Sequence, residues 1–557
     1  MRTDSRGNQR ILRSVYECGV FQTLRNKLRC KEIWVVGADK WRNPDEDLPG
    51  DYEDKRAENY RALRKPLDPE QFIDGMRAEM ETGLAALNDG LADLPWLNIT
   101  ANRRRGAITL TPLEASTEPV NLRRLKQAIT TRWGTVPLLD MLTETALRTG
   151  CLDTFLRSGS REARDRGGAL FERLLLVIYA YGTNTGIRAV AAGDHAHSED
   201  NLRYIRRRYL TIEACRTVAR IIANATFAAR QTWLWGEGST AVASDSTHFA
   251  AYDQNIFTEW HSRYRRGKRG VLIYWHVEKT GSMAVHSQLI SCSASEVHAM
   301  VEGAIRHGTD MTIESNYVDT HGQSFIGFGI TRLLDFDLLP RIKRINHLTL
   351  YRPNAGAPDA YPRLTPAMTR PIRWDTIAQQ YDSMMKYATA IRLGTATTEA
   401  ILRRFTKDVT HPAYAAMLEV GRAQRTIWAT RYLGDRDLQR ETNAGLNVVE
   451  NYNGVNDYIH FGKSGELASN RREEQELSML CLQILQSCLG FVNTLMIQDT
   501  LAQPEWVHTL VDADKRGLTP LFHSNMTPYG DIQLNMKRRI ELSDPLPLTV
   551  GQLGAHS

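Results

Sequence analysis

Apolar and polar positions divide the chain into a largely helical first half and a following stretch of short strands. Residues 11–37 carry a helix-like pattern that ends in the apolar run Ile33–Val36. Residues 41–58 (WRNPDEDLPGDYEDKRAE) are polar, contain two prolines and read as a loop or linker. The pattern over 69–93 predicts an amphipathic helix opened by Asp68-Pro69, since proline suits the first helical position. Between 120 and 235 helical spacing recurs through Leu138–Leu147, Phe171–Tyr181 and Ile212–Phe227, broken by glycine-containing turns.

The character changes near Trp235-Gly236-Glu237-Gly238. Thr240–Ser244 predicts a short strand ending at Asp245, Val271–Val277 a continuous apolar strand, and Met283–Ile290 a third; Gly281 marks the hairpin turn between the last two. Ser293 is placed to cap a helix over Ser295–His307, with Glu296 in capping-box register. Ile313–Val318 is strand-like and ends at Asp319; a helix over Ser324–Leu334 and a strand over Phe336–Ile342 follow. The first three strands pair as an antiparallel meander, and the crossover helix returns the chain parallel to the first strand. This is the layout of a ribonuclease-H-like α/β fold with a mixed five-stranded sheet. It predicts that Asp245 and Asp319 emerge side by side at the carboxyl ends of neighbouring strands, where open α/β sheets hold ligands.

After His347 the strand pattern stops. A proline-rich stretch (YRPNAGAPDAYPRLTP) leads into helices around 376–406 and 412–433, which read as an insertion into the sheet domain. A helix-like segment over 437–452 carries Glu450, and a long apolar helix over 472–500 follows. The expected organisation is 1–60 as the remnant of an upstream domain and linker, 61–235 as a mostly helical scaffold or dimerisation region, and 236–347 as the first part of the catalytic domain. The helical insertion then covers 348–436, the last part of the catalytic domain 437–502 and a tail 503–557.

Composition narrows this picture little. Hydrophobic residues make up 42% and charged residues 24%, as in ordinary globular proteins. Lys plus Arg number 70 against 64 acids, a net charge of +6 that only weakly favours an anionic partner. The seven cysteines are scattered, without a C-x-x-C pair, so neither a disulfide framework nor a zinc site is expected and a reducing, cytoplasmic setting fits. Leu477–Ile497 is 21 residues without a charge, long enough to span a bilayer. Its Gln483, Gln486, Ser487 and Asn493 argue for a buried core helix and against a membrane role.

Phosphodiester chemistry needs charge stabilised on the attacking and leaving oxygens. Two divalent ions ~3.5–4 Å apart do this, held by a few carboxylates. Asp245 and Asp319 suit that task at the ends of their strands, although a lone Asp in such a place is more often a cap or turn residue. Pattern alone leaves the third acid open among Glu441, Glu450, Glu466 and Glu473, with Asp253, Glu259 and Asp310 as further rivals. Gly462-Lys463-Ser464 lacks the leading glycine and strand of a phosphate-binding loop. Arg263, Arg265, Arg266 and Lys268 form a basic cluster, and Lys463, Arg471 and Arg472 another; both are candidates for DNA-backbone contact, as is His321 for orienting a water or phosphate.

At WGEGSTAVASDS, NYVDTHGQS, YGTNTGIRAVAAGD, KLRCKEIWVVGADKWRNPDEDLP and GLNVVENYNGVNDYIHFGKSGELASNRREEQE the sequence resembles the transposases of the Tn-three family of replicative transposons. The resemblance implies a DDE-type enzyme whose acids are Asp245, Asp319 and Glu450, binding two Mg2+ ions for which Mn2+ can substitute. It implies cleavage at transposon 3′ ends, strand transfer into target DNA, DNA as partner, and self-association as a homodimer. The spacings, 319 − 245 = 74 and 450 − 319 = 131, fit a large insertion before the last acid. Family members are about twice as long, which implies that a part reading the terminal repeats is missing here. Thr247 and His248 stand where many relatives carry basic residues or glutamine. The alternative reading is a catalytically incompetent fragment that inhibits full-length transposase by association.

Overall fold

A computed structural model describes residues 2–3, 9–10, 12–29, 33–38, 41–101, 106–114, 118–157, 167–236, 238–251, 258–261, 269–356, 360–405, 411–506 and 509–543. The chain forms two compact units, one of Met1–Pro112, Thr320–Leu338 and Ile342–Gln439, the other of Leu113–Asp319, Leu339–Arg341 and Arg440–Ser557.

The first unit is built mainly from helices Pro69–Gly90, Phe325–Leu334, Trp374–Leu393 and Pro412–Gly434. Asp68 caps the first, its side chain accepting from the Glu70 backbone N–H, with Pro69 in the first turn as expected. Helices Phe325–Leu334 and Pro412–Gly434 touch backbone to backbone. A Cβ at Gly421 would lie 1.8 Å from the Phe325 carbonyl oxygen, so only glycine permits that approach.

The second unit holds, among the described residues, a five-stranded mixed sheet. Its strands are β1 (Ala241–Ala250), β2 (Gly270–Glu278), β3 (Ala284–Ile290), β4 (Ser315–Val318) and β5 (Asp337–Pro340, in this unit from Leu339), in the spatial order β5-β4-β1-β2-β3. Strands β1, β2 and β3 form the expected antiparallel meander, and β4 lies parallel to β1. β1 does not stop before Asp245. It runs on to Ala250 because β2 pairs with it over the whole length, from Val242 opposite Glu278 to Ala250 opposite Gly270.

Five helices of this unit matter below: α1 (Gly167–Gly182), α2 (Ile212–Ala229), α3 (Glu296–Ile305), α4 (Arg436–Ile459, in this unit from Arg440) and α5 (Arg472–Leu501). α5 is the one helix among the described residues long and apolar enough to cross a membrane, yet its most apolar stretch is 100% buried within the protein. α1 and α2 pack on it. Its amides find protein partners: Gln483 accepts from the Ser287 hydroxyl at 2.6 Å, and Asn493 donates to the Pro520 and Phe522 carbonyls at 2.8 Å. A buried core helix explains both its apolar length and the protein partners of Gln483 and Asn493.

Candidate metal centre

Strand register builds the centre. Ala243 of β1 lies opposite Tyr317 of β4, and Ser244 opposite Val318. One residue further along both strands, Asp245 comes beside Asp319. The pairing is reinforced inside the sheet by the Ser244 hydroxyl, which donates to Asn316 Oδ1 at 2.8 Å.

Side chains alternate between the faces of a sheet, so Asp245 shares a face with Ala243 and, on β2, with Trp275. α4 covers that face. Trp275 packs against Tyr452 of α4 with ring centroids 5.2 Å apart, and Gly445 of α4 lies on the Tyr317 ring, where a Cβ would come within 2.7 Å. Glu441 of α4 accepts from the Tyr317 hydroxyl at 2.7 Å and from Lys279 Nζ at 2.5 Å. These contacts occupy one of the rival acids and lay the helix that carries Glu450 along the face of Asp245.

Ser246 and Tyr274 point to the other face, where His276 hydrogen-bonds the Met300 carbonyl of α3 at 2.9 Å. On this side the Ser246 hydroxyl donates to Glu296 Oε1 at 3.0 Å. Glu296 is the first residue of α3. The helix starts later than the sequence implies: Ser295 is its N-cap and makes no side-chain capping bond. The capping-box role expected of Glu296 is therefore not realised, and its carboxylate meets the Ser246 hydroxyl of β1 instead.

Asp245, Glu296 and Asp319, all half-buried, bring carboxylate oxygens within 4.8 Å of one another. They form the one such group of possible metal ligands among the described residues. Burial pushes the Asp245 carboxyl up to about 7; the charge of Asp319 adds to this, those of Glu296 and Glu450 add less, and the Ser246 backbone N–H opposes it. An all-carboxylate set suits Mg2+ or Mn2+ rather than metals that seek thiolate or imidazole. A cation shared by these oxygens would offset the burial and the neighbouring charges that raise the Asp245 carboxyl.

Glu450 is exposed and lies outside the 4.8 Å group, although its charge acts on Asp245. Of the other rivals, Glu259 accepts from the Ser293 backbone N–H at 2.8 Å, and Asp253 falls outside the described residues. Arg263, Arg265, Arg266 and Lys268 also fall outside them, as does the side chain of His321. Lys463 is exposed in the turn Gly462–Gly465, where Lys463 and Ser464 adopt left-handed φ of 52° and 57°. Asn184 Nδ2 clamps this turn by donating to the carbonyls of Gly462 at 2.7 Å and Glu466 at 2.6 Å. The turn leads back to the sheet, where the Leu467 N–H donates to the Ala250 carbonyl at the end of β1. Arg471 and Arg472 are exposed at the start of α5.

Glu296 was not selected from sequence, although topology offered a clue. In a meander the third strand runs the same way as the first, so the helix after β3 begins toward the Asp245–Ala250 half of β1.

Residues 140–531 match the family model described as Tn3 transposase DDE domain. The chain is 23% identical over 545 residues to the transposase for transposon Tn1546 of Enterococcus faecium, covering 97% of this chain and 53% of that protein. It is 26% identical over 534 residues to the transposase for transposon gamma-delta of Escherichia coli (strain K12), covering 94% and 52%. It is 25% identical over 529 residues to the transposase for transposon Tn21 of Escherichia coli, covering 94% and 52%. The chain thus spans about half the length of the curated relatives it matches.

Proposed function

The chain belongs to the Tn3 family of DDE transposases, and we propose that it cleaves DNA at transposon 3′ ends and joins those ends to target DNA, using divalent ions held by Asp245, Asp319 and Glu450. The sheet is read as ribonuclease-H-like on the strength of its strand order. The observation that carries the proposal is the meeting of Asp245 and Asp319, with a further acid, within 4.8 Å. Glu450 is assigned through the GLNVVE motif and through α4, which lies on the face of Asp245.

When bound, Mg2+ or Mn2+ supplies positive charge to the oxygens on either side of the phosphorus under attack. The protein's part is to hold the carboxylates in place. Register along β1 and β4 supports the placing of Asp245 and Asp319, and the packing of Tyr452 on Trp275 supports the proposed approach of Glu450 on α4. Water is the nucleophile in cleavage, and the freed 3′-hydroxyl is the nucleophile in joining. Lys463, Arg471 and Arg472 are proposed contacts for the DNA backbone, together with the cluster Arg263, Arg265, Arg266 and Lys268 and with His321. Two copies are proposed to act together on DNA.

Incubating the purified chain with supercoiled plasmid, or with a duplex bearing a transposon-end 3′-hydroxyl, tests this. Mg2+-dependent nicking or joining is expected. Asp245→Asn, Asp319→Asn and Glu450→Gln should each abolish it while leaving the circular-dichroism spectrum unchanged. Full activity in any one variant removes that residue from the proposal.

A further inference from the structure

We infer that Glu296 is a fourth metal-binding carboxylate of this centre, sharing a divalent cation with Asp245 and Asp319. The inference rests on the metal-centre reading above and adds a residue to it. Two features on opposite faces of the sheet support it. Asp245 and Asp319 lie on the face covered by α4, whereas Glu296 comes from α3 on the other face. Its oxygen nonetheless joins theirs within 4.8 Å, a distance that Glu450 does not meet.

The chain directs Glu296 there by two devices. The meander makes β3 end toward the Asp245–Ala250 half of β1, so α3 starts on that side. The Ser246 hydroxyl then orients the carboxylate through its 3.0 Å hydrogen bond to Oε1. A ligating carboxylate is commonly held by such a neighbouring donor. Capping does not account for the position of Glu296, because the helix is not closed by a side-chain cap. Carboxylates gathered at this separation repel one another, and hard cations with oxygen ligands match the set.

The alternative role is a positioning one, in which Glu296 only holds Ser246 and thereby β1. Mn2+ binding to the full chain without DNA separates the two, measured by electron paramagnetic resonance and by titration calorimetry. Wild type, Glu296→Gln, Ser246→Ala and Asp245→Asn are compared, with circular dichroism in EDTA confirming that each is folded. Glu296→Gln is expected to weaken Mn2+ binding by roughly tenfold or more, a scale that even changes outside the ligand set reach. Ser246→Ala, which keeps the carboxylate and removes only its orienting donor, is expected to weaken binding measurably but less than Glu296→Gln does. Wild-type Mn2+ affinity and stoichiometry in Glu296→Gln, with Asp245→Asn impaired, overturns the inference and leaves the centre standing. Equal losses in Glu296→Gln and Ser246→Ala also overturn it, in favour of the positioning role. Unchanged binding in Asp245→Asn removes the metal centre itself.

Discussion

The Ser246 hydroxyl donates to Glu296 Oε1 at 3.0 Å, tying the residue after Asp245 to the first residue of a helix 50 positions further along the chain. β1 supplies an acid on one face and a donor on the other, and α3 supplies an acid at its start. The acids meet because strand alternation and helix placement converge on one rim.

The metal-free centre should be electrostatically strained, and the strain should depend on pH. Asp245 is held up to about 7 by burial and by the neighbouring acids, above its ordinary value of 3.8. Between those values the folded chain keeps a proton that the unfolded chain has lost, so this group's contribution to stability falls as pH rises through about 7. In EDTA at pH 8, Asp245→Asn should melt higher than wild type, by roughly 1–2 °C for each kcal/mol relieved. Mn2+ should raise the melting temperature of wild type and leave that of the variant unmoved. A variant that melts lower and still responds to Mn2+ would contradict this account.

Buried histidines should set an acid limit of opposite sign. Burial pushes His276 down to about 4, opposed by its bond to the Met300 carbonyl; burial pushes His460 down to about 4 as well, opposed by its bond to the Gly182 carbonyl. Below the ordinary value of 6.5 the unfolded chain takes up protons that these groups refuse. Stability is therefore fully present above about 6.5 and is lost as pH falls toward 4. Urea midpoints between pH 7.5 and 4.5 should drop, and less steeply in His276→Gln, which retains a donor for Met300. A slope identical to wild type would exclude His276 as a contributor.

The β2–β3 turn rests on one buried ion pair. Arg230 Nη1 lies 2.9 Å from Glu278 Oε2, and the same carboxylate accepts from the backbone N–H groups of Thr280 and Gly281. Glu278 is 1% exposed and the Arg230 side chain 9%. Glu278→Ala leaves a buried guanidinium without its carboxylate and should cost about 3–5 kcal/mol in chemical denaturation. A loss below about 1 kcal/mol would mean that water reaches Arg230 in the variant.

The seat of α4 on the sheet should tolerate no larger residue at Gly445, whose Cβ would fall 2.7 Å from the Tyr317 ring. Gly445→Leu should destabilise the protein by about 1–3 kcal/mol through overpacking. Because the same helix carries Glu450, the variant should also lose DNA joining under conditions in which it remains folded. Retained joining would show that Glu450 does not depend on this contact.

Much of the framework was legible in the sequence. Alternation and turn residues outlined the meander, the crossover rule set the fourth strand parallel to the first, and together they brought Asp245 beside Asp319. Asp68-Pro69 announced a helix start, and the amides of Leu477–Ile497 marked a core helix. These features are local, or follow from how a chain returns to a sheet, so a one-dimensional pattern carries them. Tertiary contact decided the rest. β1 continues past Asp245 because β2 is long enough to pair with it. Glu441 was removed from the rival acids by Lys279 and Tyr317, and Glu296 was drawn from an expected cap to the rim by Ser246. Each of these outcomes depends on partners far away in the chain, and side-chain periodicity says which face a residue occupies without saying whom it meets there.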